Sequence, residues 1–172
     1  MTSPLDSLSA DKIGGPGYEP QRQNGAYIVI EGLDEDPLKM AIVSFPIPKV
    51  TNNAVEVHHG NEVRKFAGKP TFEDLSIVMK DYIESPLLDK LLEWRKKVYN
   101  HETGQIGWAK DYKKNGYIYL HGPDGNGVRK WRIQGAWPSG FDPGDVDHSS
   151  DDTTQITMTL TIDKAWYEGK QG

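Results

Sequence analysis

Thr154-Gln-Ile-Thr-Met-Thr-Leu-Thr-Ile162 alternates strictly between two kinds of side chain. In a pleated strand Ile156, Met158, Leu160 and Ile162 share one face, and Gln155, Thr157, Thr159 and Thr161 share the other. The second face carries threonine where a freely solvated strand would carry Lys and Glu. Such a strand suits a wall with material near both sides.

Working outward, most of the chain repeats this β pattern. Ala26–Glu31 and Leu38–Phe45 read as strands separated by an acidic loop, Asp34-Glu35-Asp36-Pro37. Pro46 and Pro48 break the ladder, because neither has an N–H to donate. Residues 54–59 and 62–67 flank Gly60-Asn61 and read as a hairpin. Phe72–Asp81 is a further strand, with Leu75, Ile77 and Met79 on one face. Ser85-Pro86 opens the one convincing helix, expected over 86–100: Ser is a favoured N-cap, Pro suits the first turn, and Leu87, Leu88, Leu91, Leu92, Val98 and Tyr99 recur near helical spacing. Strands follow at 116–121 and 128–137 around the turn-rich 122–127, and Trp137-Pro138-Ser139-Gly140 is expected to end the second of them. An acidic loop, 142–152, precedes the closing strand. The order β-β-β-β-β-α-β-β-β predicts a mainly β protein, an antiparallel sandwich or barrel with one flanking α-helix. Residues 1–24, rich in Ser, Gly, Pro and Asp, read as a flexible arm, 25–168 as the single domain, and 169–172 as a loose tail.

Composition narrows the function. A chain of 172 residues favours one domain that buries roughly 70% of its unfolded surface. The absence of cysteine excludes disulfides, thiol catalysis and thiolate-bound zinc. A net charge of -5 argues against a dedicated nucleic-acid binder. The opening Met1-Thr-Ser-Pro-Leu lacks the basic and apolar regions of a secretory signal, and no stretch approaches a membrane span, so delivery outside the general secretion route and no membrane binding are expected.

Little in the chain carries catalytic chemistry. His58 and His59 are adjacent on a strand, so they face opposite ways and do not share an ion. Asp142, Asp145, Asp147, Asp151 and Asp152 lack the spacing of a known calcium loop, and Pro143-Gly144 fits a turn. His121 near Asp124 has no nucleophile beside it. Trp108, Tyr112, Tyr117, Tyr119, Trp131 and Trp137 offer a sugar platform only if they share a surface; aromatic residues on strands are more often core or cross-strand pairs. Arg129, Lys130 and Arg132 around Trp131 form a short basic patch. No enzyme site, cofactor or metal is expected.

One joint pattern is specific. Phe45-Pro-Ile-Pro48 precedes the hairpin, and Ala67-Gly-Lys-Pro-Thr-Phe-Glu-Asp74 follows it. A helix with Trp94 comes next, then Ile133-Gln-Gly-Ala-Trp-Pro138, an acidic loop, and a closing strand ending Trp166-Tyr167-Glu168. Over about Gly25 to Glu168 this resembles the major tail tube proteins of contractile-tailed, T4-like bacteriophages, with a longer N-terminal segment and an expanded 122–127 loop. The resemblance implies a non-enzymatic structural subunit of the virion tail, made in the host cytoplasm. Six copies would form a ring whose strands join in a continuous lumenal barrel, and rings would stack into a tube. A sheath protein would lie outside, tape measure protein and then DNA in the lumen, and baseplate hub and tail terminator at the ends. The hairpin matching residues 50–68 would reach an adjacent ring. The inner tubes of type VI secretion and related injection systems share this fold and are the alternative; a glycan- or calcium-binding β-sandwich is a second. The residues expected at assembly contacts are Phe45, Val55, Val57, Val63, Lys65, Phe66, Phe72, Asp74, Thr157 and Thr159.

Overall fold

A computed structural model describes residues 21–170 except 124, 126, 147 and 150. The expected arm therefore lies almost wholly outside the described residues, as do Asp124 and Asp147.

In chain order the elements are β1 (Ala26–Ile30), α1 (Glu35–Ala41), β2 (Ile42–Ser44), β3 (Val50–His59), β4 (Glu62–Phe72), β5 (Leu75–Lys80), α2 (Leu87–Val98), β6 (Tyr99–Asn100), β7 (Gln105–Ile106), α3 (Ala109–Tyr112), β8 (Lys114–His121), β9 (Gly127–Asp142), β10 (Gln155–Thr161) and β11 (Lys164–Lys170). Strand dominates, as the alternation implies. The main sheet is antiparallel and curls into a half-barrel in the order β1-β8-β9-β10-β5-β2, with β11 also paired to β9.

The hinge of this sheet is β9. Its first part pairs with β8 and β11, and its last six residues, from Trp137, pair with β10. One long strand thus belongs to two faces: a tyrosine-bearing side built from β1, β8, β9 and β11, and a threonine-bearing side built from β9, β10, β5 and β2. The bend sits at Gly135, whose φ of 67° is strained for any residue with a Cβ. A Cβ there would also overlap the Asp163 carboxylate, which Lys113 holds at 2.7 Å.

The core lies between the two sides. Ile156, Met158 and Leu160 of β10 meet Met79, Ile77 and Leu75 of β5 in register, and all six are buried. Ile28, Ile118 and Ile133 face them from the tyrosine side. Helix α2 adds Leu87, Leu91 and Trp94 to the same cluster. Ser85 caps it one residue early: its Oγ accepts the Leu87 N–H at 3.3 Å, and Pro86 occupies the N-cap position. The buried Trp94 indole donates to the Tyr112 carbonyl at 2.6 Å, tying α3 to α2. Trp94→Phe removes that donor and leaves a small cavity. A loss of about 1–3 kcal/mol in chemical denaturation is expected, with the β signature in circular dichroism retained.

Phe72, expected to open a strand, ends β4, and Tyr99 and Asn100, expected in the helix, form β6; three further expectations change. Leu38–Ala41, expected in a strand, belong to α1. The acidic run supplies its N-terminus, where Glu35 and Asp36 meet the helix dipole and Pro37 is tolerated in the first turn. Lys39 pairs with Glu35 at 2.9 Å, one helical turn apart, and the strand is confined to Ile42–Ser44. Second, Trp137-Pro138 does not end its strand. Pro138 sits opposite Leu160 beside a bulge, where its missing N–H is harmless, and Ser139 Oγ donates to the Thr159 carbonyl at 3.2 Å. Third, Gly169 and Lys170, expected in the tail, extend β11 by pairing with Lys130 and Arg129.

Candidate assembly surfaces

The hairpin of β3 and β4 stands apart from the rest of the protein. Among the described residues its strands pair only with each other, and nearly every residue in it is exposed. Gly60 begins the two-residue turn with φ 64°, the conformation a type II′ turn reserves for glycine. Register sorts the side chains. Val55 opposes Phe66 and Val57 opposes Arg64, which puts Val55, Val57 and Phe66 on one face. Glu56 opposes Lys65 and His58 opposes Val63 on the other, with a Glu56–Lys65 ion pair at 3.1 Å. His58 and His59 do face opposite ways. At the base, Gly68 passes so close to the Asn53 carbonyl that a Cβ would not fit, and Asn52 Nδ2 donates to the Gly68 carbonyl at 3.2 Å.

Two-stranded ribbons are marginal in water by themselves. This one also exposes 56% of Phe66, together with about half of Val55 and Val57. Water-facing apolar side chains on an unsupported ribbon are the mark of a surface meant to be covered.

The structure does not gather the ten expected contact residues into one site. Val55, Val57 and Phe66 share the apolar ribbon face, whereas Val63 and Lys65 lie on its back. Phe45 and Phe72 pack partly against the core, and Asp74 is exposed in the link to β5. Thr157 and Thr159 are half-buried on the outer face of β10, beside Val78 and Ser76 of β5.

A surface not anticipated from sequence covers the outer face of the tyrosine side. Tyr27 stacks between Tyr119 and His121, with ring centroids 4.9 Å from each. Lys130 lies 4.1 Å over the Tyr117 ring, and the Arg132 guanidinium lies 5.5 Å from Trp166. A bulge at Glu168 carries its carboxylate to 3.1 Å from Lys130 and 3.6 Å from Arg132. The short basic patch is therefore split: Lys130 and Arg132 share the single Glu168 carboxylate, and Arg129 opposes Leu120, one register position away on the other face. Alternation of Tyr117 with Tyr119, and of Lys130 with Arg132, was the available signal; the cross-strand register that stacks them was not.

The hydrogen bond that Lys130 donates to the Glu168 carboxylate holds the ammonium above its ordinary pKa of 10.5, with the nearby tyrosines adding to the shift. A raised lysine pKa means this pairing supports the fold below about pH 10.5 and loses that support as pH rises through the raised value. Glu168→Gln should return the Lys130 titration toward 10.5 in lysine-detected NMR, with the tyrosine ladder still formed.

The remaining candidates disperse. Trp108 is exposed beside α3, Trp137 packs edge-on against Tyr112, and Trp131 is turned toward the core, so the six aromatic residues form no common platform. Among the described residues no three metal-binding side chains converge, and no helix is long and apolar enough to cross a membrane.

Against known proteins, the family model described as T4-like virus tail tube protein gp19 matches residues 27–165. No curated protein sequence matches significantly. Among solved structures, a chain of the anti-feeding prophage cap, its tube-terminating cap, superposes with a TM-score of 0.71 at 16% identity, covering 88% of this chain and 92% of that one. A chain of the sheath/tube terminator of an extracellular contractile injection system, PVC, gives 0.70 at 17% identity over 88% and 98%. A chain of the extended sheath-tube complex of that system gives 0.67 at 16% over 94% and 98%.

Proposed function

Since the chain belongs to the T4-like virus tail tube protein family, whose members build the inner tube of contractile tails, we propose how this subunit does so. Six copies close into a ring, and rings stack through the β3–β4 ribbon, whose apolar face covers itself on a subunit of the next ring. A sheath protein surrounds the tube, a hub and a terminator close its ends, and the lumen holds first a tape measure protein and then DNA. The role is mechanical, with no catalytic step. The subunit is made in the host cytoplasm and works in the tail.

One observation carries this reading: an 11-residue strand and its 10-residue partner project from the core, which they meet at Phe72, with Val55, Val57 and Phe66 turned to water. The short edge strand β2 fits the same reading, because a sheet completed by its neighbours has no free edge in the assembly. Electron microscopy of the purified chain at rising concentration tests it. Hollow rings or tubes of uniform width are expected; a protein that stays monomeric at millimolar concentration would overturn the reading.

The likeness to injection-system subunits favours a second reading, in which the same tube belongs to a contractile particle without a genome. Purified particles separate the two: a DNA-filled capsid on the tail supports the first, and headless particles the second.

A further inference from the structure

Acidic and basic groups are unevenly placed on this chain. The loop between β9 and β10 carries Asp142, Asp145, Asp151 and Asp152, all exposed, and the sequence from Asp142 to Asp152 holds no Lys or Arg. Val146, within it, is 82% exposed. The outer face of the tyrosine side is its counterpart. Lys164 opposes Gln134 and Trp166 opposes Arg132, so Lys164 joins Lys130 and Arg132 on that face. Among the described residues, Glu168 is the carboxylate paired with Lys130 and Arg132, which leaves the row a positive excess. Trp166 beside them is 39% exposed. Tyrosine, tryptophan and arginine are the residue types that protein interfaces favour.

The two features stand apart within one copy. Arg132 lies in the first part of β9, and the loop leaves that strand at its far end, after Asp142. A strand rises about 3.3 Å per residue, so even across the bend at Gly135 they are about 20 Å apart or more. The loop is also tied down on the threonine side. The Gly144 N–H donates to Asp142 Oδ1 at 2.9 Å, and the Asp81 N–H donates to the Thr154 carbonyl at 3.0 Å. Gly144 itself lies so close to the Gln155 carbonyl that a Cβ would not fit. Both ends of the loop are thus held against β10 and β5, away from β8 and β11.

Two complementary surfaces at different places on one subunit make a heterologous contact, which joins copies head to tail. We propose that the aromatic and cationic face of β8, β9 and β11 receives the acidic β9–β10 loop of a second copy. Asp145 and Asp151 of the loop meet Lys164 and Arg132, and Val146 rests against Trp166. Opposite charge also sets direction: face against face and loop against loop repel, so copies meet one way round. This inference rests on the tube reading above. It adds to the apolar ribbon a contact of another kind, one that salt weakens.

The test uses two charge-reversed forms of the full chain, Arg132→Glu with Lys164→Glu, and Asp145→Lys with Asp151→Lys. Each places like charges across the contact, so each alone should need at least about tenfold more protein than the unmodified chain to form tubes at low salt. An equimolar mixture should assemble near the unmodified concentration. Reversed face then meets reversed loop, intact face meets intact loop, and a ring of six closes on alternating copies. Circular dichroism checks that each form is folded; Lys164→Glu alone, at an exposed side chain, serves in place of the first form if Arg132→Glu disturbs the sheet. Variants that assemble like the unmodified chain overturn the inference, whether the face then proves to hold nucleic acid or another protein. A mixture no better than its separate components overturns it too. Failure of the unmodified chain to form tubes counts instead against the tube reading on which this contact rests.

Discussion

Phe66→Asp should leave a folded monomer that no longer makes tubes. The folded part of this expectation follows from exposure: the side chain touches no core residue, so melting should shift by no more than about 1–2 °C, as for other surface changes outside packed or capped positions. The assembly part follows from what would cover the ring. Burying a phenylalanine is worth about 1.5–3 kcal/mol, and a carboxylate in its place adds the cost of burying an unpaired charge. A deficit of about 3 kcal/mol per contact raises the concentration needed for assembly by more than 100-fold. Val57→Asp, on the same ribbon face, should act alike. Val63→Asp, on the back, should do less, which separates a specific contact from a general charge effect. Micrographs and sedimentation give the readout, and tubes of unmodified length from Phe66→Asp would refute the ribbon contact.

Gly135→Val should be the most damaging single change within the domain. Positive φ costs a β-branched residue about 1–2 kcal/mol, and the added side chain must displace the Asp163 carboxylate that Lys113 and the bend hold in place. Together these predict a loss of about 3–5 kcal/mol and a fall in melting temperature of about 6–20 °C. Gly60→Val at the hairpin tip has a similar φ but no neighbour within 4 Å, so it should cost the domain far less. Equal melting of the two variants would show that the bend at β9 is not the constraint described here.

How much of this could be read from residues alone depended on the range of the interaction. The alternation in 154–162 identified both the strand and its buried side, because period two requires no partner to be known. Residues 87–98 announced their helix by spacing, and Gly60-Asn61 announced the ribbon by turn chemistry. Leu38–Ala41 misled because Leu38, Ala41 and Ile42 fit a strand and a short helix equally well. Glu35 and Asp36 at its start, and the Glu35–Lys39 pair, decided for the helix. Pro138 misled for a different reason. A proline ends a strand unless a bulge absorbs it, and that bulge exists only where Thr159 and Leu160 happen to lie opposite. The ladder from His121 through Tyr27, Tyr119, Tyr117 and Lys130 depends on the register of β8 with both β9 and the distant β1, so no single strand's pattern could reveal it. Of the ten expected contact residues, Val55, Val57 and Phe66 share one exposed face. Phe45 and Phe72 look alike in composition but serve the core.

Strand β9 has one more effect, on how the molecule comes apart. Because the same strand closes both walls, neither can be peeled away without opening the other. The domain should behave as a single cooperative unit, its slowest-exchanging amides spread evenly over both halves. The ribbon of β3 and β4 lies outside this unit, so its amides trade protons with water at a cost set by local fraying. Solid at its centre and loose at its reaching limb, the free subunit should concentrate its disorder in that one ribbon.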